Sequence, residues 1–261
     1  MELRVLQYFL VAAREENITR AATQLHITQP TLSRQLMQLE EELGVKLFHR
    51  GNHNILLTVS GEISIGCGET QNMKVLCEMM TSFRQKYPDV SFEIYTAIAD
   101  DVKERLENGI LDMGLLLEPV EISRYQYIKM PIEERWRVLI RRDSPLAGKE
   151  KITPDDLVDI PLIIAKRQSV RNELEHWFGQ RAEKLRIATT CNLSYNNQSI
   201  MVESGLGVAM TMEFSECRDT LCLRPLEPEI TSGCVLVWKK NQILSPTVAR
   251  FIKHVREWLE G

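Results

Sequence analysis

The chain has 261 residues, 44% of them hydrophobic and 26% charged, with a formal net charge of −4. This composition suits one large globular domain or two modest ones, and it carries no overall basic excess to announce a nucleic-acid binder. No apolar stretch approaches the ~18–20 residues of a membrane span. The start, Met1-Glu2-Leu3-Arg4, lacks the basic region and apolar core of a signal peptide. A cytoplasmic protein with no membrane partner is therefore expected. Cys67, Cys77, Cys191, Cys217, Cys222 and Cys234 are scattered. Without a C-x-x-C pair or a Cys/His quartet they read as thiols, and neither a metal nor another cofactor is expected.

Residues 1–61 balance six Lys/Arg against six Glu, but unevenly. Between Asn17 and Leu39 there are two arginines and no acid, and Lys46–His53 is also free of acids. Leu3, Leu6, Leu10 and Ala13 sit at helical spacing and predict the buried stripe of a first helix. Asn17 or Thr19 can cap a second, with Ala21, Ala22 and Leu25 inward. Thr28 is a suitable cap for a third, where Pro30 is tolerated in the first turn. Leu32, Leu36, Leu39 and Leu43 form its stripe, and Gly44 can end it. Pro30, Ser33, Arg34, Met37 and Gln38 then point away from the leucines. Two helices joined by a tight turn, the second with a polar, acid-free outer face, make a helix-turn-helix pattern. Thr28, Gln29 and Thr31 supply hydroxyl and amide groups at a helix start that favours phosphate. Gln29 or Gln38 can read adenine, and Arg34 guanine or a phosphate. Phe48 and Arg50, the turn Gly51–Asn54 and Ile55–Leu57 predict a hairpin beside this pair, a wing able to touch DNA backbone or minor groove. On spacing alone, a generic amphipathic helix pair remains the alternative.

The run "FLVAAREENITRAATQLHITQPTLSRQLMQLEEELGVKLFHRGNHNILLT" resembles the N-terminal domain of LysR-type transcriptional regulators. The resemblance rests on Ala-Ala-x-x-Leu, Thr-Gln-Pro-Thr-Leu-Ser, Leu-Glu-x-x-Leu-Gly-x-x-Leu-Phe-x-Arg and the closing Leu-Thr-x-x-Gly, together over about fifty residues. It implies that Thr28, Gln29, Pro30, Thr31, Ser33 and Arg34 face double-stranded DNA, with Gln38 on the same face and Arg50 at the family's wing position.

From Glu62 onward predicted strands and helices alternate: strands at Glu62–Gly66, Val90–Tyr95 and Met113–Leu117, and helices through Met73, Leu76, Met80 and Phe83 and at Asp100–Asn108. After Trp136–Ile140 the pattern repeats with "IPLIIA", "LRIATT" and "GVAMTM", and it closes on "SGCVLVWKK" and an amphipathic helix. This α/β order predicts largely parallel sheets in two lobes. A ligand belongs beyond the carboxyl ends of their strands. The candidate contacts are Glu69 and Thr70 in the loop "GCGET", Thr96 and Ala97 at a second bend, and Leu117, Arg167, Asn192 and Ala209 from later strands. Capping and solvation are the competing roles for Thr70, Arg167 and Asn192, and Glu69 would oppose an anion. "GEISIGCGET", "LENGILDMGLLLEP", "DSPLAGKEKITPDDLVDIPLI" and "VESGLGVAM" resemble the effector-sensing domain of the same family, whose two lobes are similar to periplasmic binding proteins. The resemblance implies a small-molecule effector between the lobes and chain crossings near residues 135–140 and 235–239. Ala97-Ile98 departs from the small polar residues that relatives often carry at that bend.

Gly61 both ends the first motif and begins the second. The resemblance implies a helix of roughly 25–30 residues between them, about 40 Å long at 1.5 Å per residue, which in relatives pairs two DNA-binding heads. The expected organisation is a winged helix-turn-helix at 1–61 and an effector-binding domain at 62–261, with lobe 1 at about 62–135 and 236–261 and lobe 2 at about 136–235. The expected function is a LysR-type regulator answering to a small-molecule effector, impaired in dimeric operator binding by loss of that linker helix; a homo-oligomer is allowed. The alternative is a small-molecule-binding protein with a vestigial head. An enzyme is not expected: the five histidines are dispersed, and Gly205-Leu206-Gly207 lacks a third glycine and precedes a strand. Cys67, beside a helix start, reads either as a low-pKa thiol or as a buried strand end.

Overall fold

Three helices open the chain: α1 (Leu3–Glu15), α2 (Ile18–Gln24) and α3 (Gln29–Leu43). They are followed by a two-stranded antiparallel hairpin of β1 (Phe48–Arg50) and β2 (Ile55–Leu57). The computed structural model describes residues 3–43, 47–50, 55–57, 61–192, 195–214, 217–242 and 244–261; the side chains of 49–50 and 55–57 are not among what it describes. The expected helix end at Gly44 and the hairpin turn at Gly51–Asn54 lie outside the described residues.

Leu32, Leu36 and Leu39 are buried as their spacing requires, whereas Leu43 is exposed. The first helix departs from expectation. Leu3, Leu6 and Leu10 are exposed, and Ala12 is the buried residue, packed with Ala21, Ala22, Leu32, Leu36 and Phe48. The inward face is set by aromatic packing: the Phe9 ring lies 5.4 Å from that of Phe48. Two alanines on α2 let its neighbours approach closely, so the small core needs few large side chains.

Residues Met1–Gly61 and Glu62–Gly261 form separate units. The second contains β3 (Gly61–Cys67), α4 (Asn72–Lys86), β4 (Val90–Thr96), α5 (Ala99–Glu107), β5 (Met113–Leu117), β6 (Tyr125–Lys129) and β7 (Glu134–Arg141). Then follow β8 (Pro161–Ala165), α6 (Gln168–Phe178), β9 (Arg186–Cys191), α7 (Tyr195–Glu203), β10 (Val208–Met212), β11 (Leu221–Pro225), β12 (Thr231–Ser232), β13 (Cys234–Lys239) and α8 (Pro246–Glu260). One sheet has the order β4-β3-β5-β13-β6 and the other β11-β7-β10-β8-β9, with β12 beside β7.

The sheets are mixed, not largely parallel. β3 runs parallel to β5, and β10 to β8 to β9. By contrast, β13 is antiparallel to β5 and β6, and β7 is antiparallel to β10, β11 and β12. The antiparallel strands are those that connect the lobes. The chain passes from one sheet to the other between Lys129 and Glu134 and returns between Ser232 and Cys234, a few residues earlier than the sequence places the crossings.

Glu134 lies fully buried at the outgoing crossing, where its Oε1 accepts from Asn72 Nδ2 at 2.9 Å and from the Asn72 backbone N–H at 3.2 Å. Asn72 Nδ2 also donates to Ile132 O at 2.8 Å, and its Oδ1 accepts from Ile132 N at 3.1 Å. One buried asparagine therefore ties the start of α4 to Ile132 and Glu134, the later half of that crossing. Trp136 Nε1 donates to Ser232 Oγ at 3.0 Å and joins the two crossing segments.

Close helix–sheet packing has a local requirement. A Cβ on Gly66 would lie 2.6 Å from Val102 Cγ1 and 2.7 Å from Leu111 Cδ1, both in the core beneath α5. Gly66→Ala is expected to lose ~1–3 kcal/mol through overpacking, measured by urea unfolding. Glu173 on α6 has a partly buried carboxyl whose pKa burial raises, with a hydrogen bond from Ser232 opposing the shift. A raised folded-state pKa adds stability at acid pH that is lost as pH rises through the carboxylate range. Glu173→Gln is thus expected to raise the melting temperature at neutral pH, with the gain shrinking as pH falls into the carboxylate range and lost below about pH 4.

Candidate functional site

In the first unit, Asn17 caps α2: its Oδ1 accepts from Thr19 N and Arg20 N, each at 3.0 Å. The turn into α3 passes through His26 at φ +54°. Thr28 then caps α3 weakly, its Oγ1 accepting from Thr31 N at 3.4 Å and bonding Thr31 Oγ1 at 2.8 Å. Thr28, Gln29, Pro30, Arg34 and Gln38 are exposed, while Thr31 and Ser33 are half-buried. All seven therefore sit on or beside the outer face of α3, opposite the buried leucines. Arg50 ends β1, and its side chain lies outside the described residues. Sequence reasoning gave Glu40 no structural task, yet its Oε1 accepts from Leu47 N at 2.9 Å and Phe48 N at 3.0 Å. This carboxylate anchors the hairpin to the far end of α3.

In the second unit, a cavity of about 220 Å3 lies between the sheets' carboxyl-end loops. It brings together Glu69, Thr96, Ala97, Leu117, Arg167 and Asn192 of the residues expected from sequence, and adds Ile98, Lys166, Val170 and Cys191. Two expected contacts do not reach it. The Thr70 hydroxyl is instead bonded to Glu134 and accepts from Asn72 N at 3.1 Å, so it belongs to the outgoing crossing. Ala209 is fully buried in mid-β10, packed with Leu139, Ile163, Val202 and Leu221. It pairs with Leu139 of β7 and Ile163 of β8 inside the sheet, which puts it in the core.

Two charged residues clasp the lobes across this cavity. Glu69, after β3, accepts through Oε2 from Tyr195 N at 2.6 Å, at the first residue of α7. Arg167, after β8, donates from Nη1 to Leu117 O at 3.2 Å and from Nη2 to Pro119 O at 2.8 Å. Its Nε is 3.6 Å from Asp100 Oδ1. The Arg167 side chain is only 11% exposed, and burial lowers its pKa against the opposing pull of Asp100. It nonetheless stays protonated, as a guanidinium does throughout the ordinary pH range. Cys67 is buried, and burial raises its thiol pKa, a hydrogen bond with Thr96 opposing; the strand-end reading holds over the reactive thiol. Gly207 serves packing: a Cβ there would lie 2.2 Å from Pro161 O.

Residues 3–62 match the model of the bacterial regulatory helix-turn-helix protein, lysR family, and residues 58–260 match that of the LysR substrate binding domain. The chain belongs to the LysR family. As such it is a DNA-binding transcriptional regulator with an effector-binding domain, and its partners are DNA and a small-molecule effector. Among curated relatives, this regulator is 28% identical to the Hca operon transcriptional activator HcaR of Escherichia coli K12 over 297 aligned positions, covering 99% of this chain and 98% of HcaR. It is also 28% identical to the transcriptional activator IlvY of Salmonella typhimurium, over 82% of this chain and 83% of IlvY. Among solved structures, the PA01 protein of Pseudomonas aeruginosa superposes with a TM-score of 0.64 at 25% identity, covering 99% of each chain. CbnR in complex with its target DNA superposes with a TM-score of 0.58 at 20% identity, over 98% of this chain and 99% of CbnR, a likeness of fold. Among the described residues of this regulator, no helix is long and apolar enough to cross a membrane.

Because Asn17 satisfies two otherwise free N–H groups at the start of α2, Asn17→Ala is expected to cost the head ~1 kcal/mol. Chemical denaturation followed by helix circular dichroism on residues 1–61 of the intact chain, resolved by amide exchange, would register it.

Proposed function

We propose that residues 1–61 form the DNA-binding unit and residues 62–261 the effector-binding unit of a regulator whose hold on its operator is weakened. Thr28, Gln29, Pro30, Thr31, Ser33, Arg34, Gln38 and Arg50 are the proposed DNA contacts. Glu69, Thr96, Ala97, Leu117, Arg167 and Asn192 are the proposed effector contacts. The exposure of the polar face of α3 supports the first set, and the shared cavity supports the second.

The observation that carries the weakened binding is the join between the units. β2 ends at Leu57 and β3 begins at Gly61, so three residues separate them. No linker helix of the length implied by the family resemblance can occupy three residues. The alignment with HcaR fits the same reading, since it spans 297 positions although this chain has 261 residues. One winged head makes few base and phosphate contacts. Two heads held on one duplex, a helical turn or a multiple of it apart, gain affinity through effective concentration. A chain without the pairing helix forgoes that gain while its sensing unit still folds.

The test compares this chain with a version carrying a helical segment of about 28 residues after Gly61, by solution mass and by band shift on duplexes selected from a randomised pool. The lengthened version is expected to dimerise and bind ~10²-fold or more tightly. Arg34→Ala in it is expected to abolish the specific band. Tight, site-specific binding by the 261-residue chain itself would overturn the proposal. An effector-induced melting shift with no DNA affinity in either version would favour a sensing protein with a vestigial head.

A further inference from the structure

The DNA face proposed above is divided between two elements. Gln29, Pro30, Thr31, Ser33, Arg34 and Gln38 belong to α3, and Arg50 ends β1. Both parts can meet one duplex only if the strand leaves the helix at a fixed distance and angle. α3 ends at Leu43, and residues 44–46 separate it from Leu47. Each residue of such a connection has its own soft dihedrals, so covalent linkage alone does not set that angle.

Two contacts across the gap act on it. Phe48 is buried against Ala12, Leu32 and Leu36, with its ring 5.4 Å from that of Phe9. This fixes how deep the strand sits, but a hydrophobic contact is non-directional and leaves the strand free to turn about it. The second contact is directional. Glu40 Oε1 accepts from Leu47 N at 2.9 Å and from Phe48 N at 3.0 Å. Two successive backbone N–H groups converging on one carboxylate oxygen orient the chain as it enters β1, and such charge-assisted bonds are roughly twice as strong as neutral ones. Arg50 lies only ~7 Å further along the strand, in a hairpin with the register Phe48↔Leu57 and Arg50↔Ile55. Wherever the Phe48 backbone is held, the end of β1 follows.

Glu40 differs from its neighbours in this. Glu41 and Glu42 are exposed, whereas Glu40 is half-buried. A carboxylate in a DNA-binding head repels phosphate; here one is turned onto N–H groups of the chain itself. We propose that Glu40 is a positioning residue for DNA binding. It touches no DNA, and it holds the wing at the angle from which Arg50 reaches the duplex that α3 engages. This rests on the assignment of α3 and Arg50 as DNA contacts. Charge and alignment then act with opposite signs. Neutralising a carboxylate near DNA strengthens binding by charge alone, whereas releasing the wing weakens it.

The test measures, by fluorescence anisotropy over a low-salt series, the affinity of the full chain for a short duplex of mixed sequence. Glu40→Ala is expected to bind about tenfold more weakly, the worth of one hydrogen bond to a charged group. It is also expected to lose about 1 from the slope of log affinity against log salt, the share of one phosphate contact. Glu40→Gln, which keeps an acceptor oxygen, is expected to fall between Glu40→Ala and the parent. Glu41→Gln, the same change of charge one residue on, is expected to bind at least as tightly as the parent. Arg50→Ala is expected to match Glu40→Ala, and the double variant to be no weaker than Arg50→Ala alone. Without DNA, amide exchange in Glu40→Ala is expected to quicken at Leu47 and Phe48 and to stay unchanged at Leu32 and Leu36. Should Glu40→Ala unfold the head by circular dichroism, Glu40→Gln carries the comparison. If both Glu40 variants bind as tightly as the parent or more so, while Arg34→Ala and Arg50→Ala weaken binding, Glu40 contributes only its charge and the inference is overturned. It is overturned too if the losses from Glu40→Ala and Arg50→Ala multiply. If Arg34→Ala and Arg50→Ala change nothing, or no duplex is bound, the assigned DNA face itself falls and takes the inference with it.

Discussion

The two lobes of the sensing unit are held by an exchange of charged side chains for backbone. Lobe 1 sends Glu69 to the start of α7, and lobe 2 sends Arg167 to the carbonyls of Leu117, at the end of β5, and Pro119, just beyond it. A third strap, Gln71 Nε2 to Glu213 O at 2.8 Å, lies beside them. Charge-assisted hydrogen bonds are short, directional and stronger than neutral ones. They constrain the lobes at the rim, while the crossing strands constrain them at the base. The cavity is the space left between these two sets of restraints, so its shape depends on both. A molecule that alters either partner of a strap acts on the relation between the lobes without disturbing either sheet.

The base is built on different physics. Glu134 and Asn72 are both fully buried at the outgoing crossing. Glu134 Oε1 and the Asn72 amide satisfy one another and the backbone at Ile132, as buried polar groups require, while Glu134 Oε2 has no hydrogen-bond partner among the described residues. Cys234, at the return crossing, has its thiol pushed up to about 12 by burial and by the neighbouring Glu134 charge. The base is therefore buried, unlike the rim. A rigid floor beneath a polar, water-accessible rim is the arrangement in which relative motion of two bodies is confined to the open end.

Much of this was legible in the sequence, and unevenly so. The α3 leucines repeat within one helix, so Leu32, Leu36 and Leu39 declare their burial locally. The stripe read into α1 was misleading, because the face that packs is set by Phe9 against Phe48, a contact made far along the chain that no local pattern announces. Strand positions such as Met113–Leu117 followed from apolar runs bounded by turns. Strand directions did not, since an antiparallel neighbour and a parallel one share the same apolar pattern. β6, YQYIK at the sheet edge, is too short and too interrupted by Gln126 and Lys129 to stand out as a strand. At the cavity, position after a strand was enough to find Glu69, Arg167 and Asn192. Their partners were not legible, because Tyr195 is 126 residues from Glu69 and Leu117 is 50 from Arg167. Position alone also admitted Thr70, which the Glu134 crossing claims.

The split character of α3 has a consequence for how such a protein changes over generations. Its leucines carry the folding of the head, and Gln29, Arg34 and Gln38 carry almost none of it. Substitutions on the outer face are thermodynamically near-silent. The helix can therefore drift towards new base sequences without passing through an unfolded ancestor, and selection on target choice meets little resistance from selection on stability.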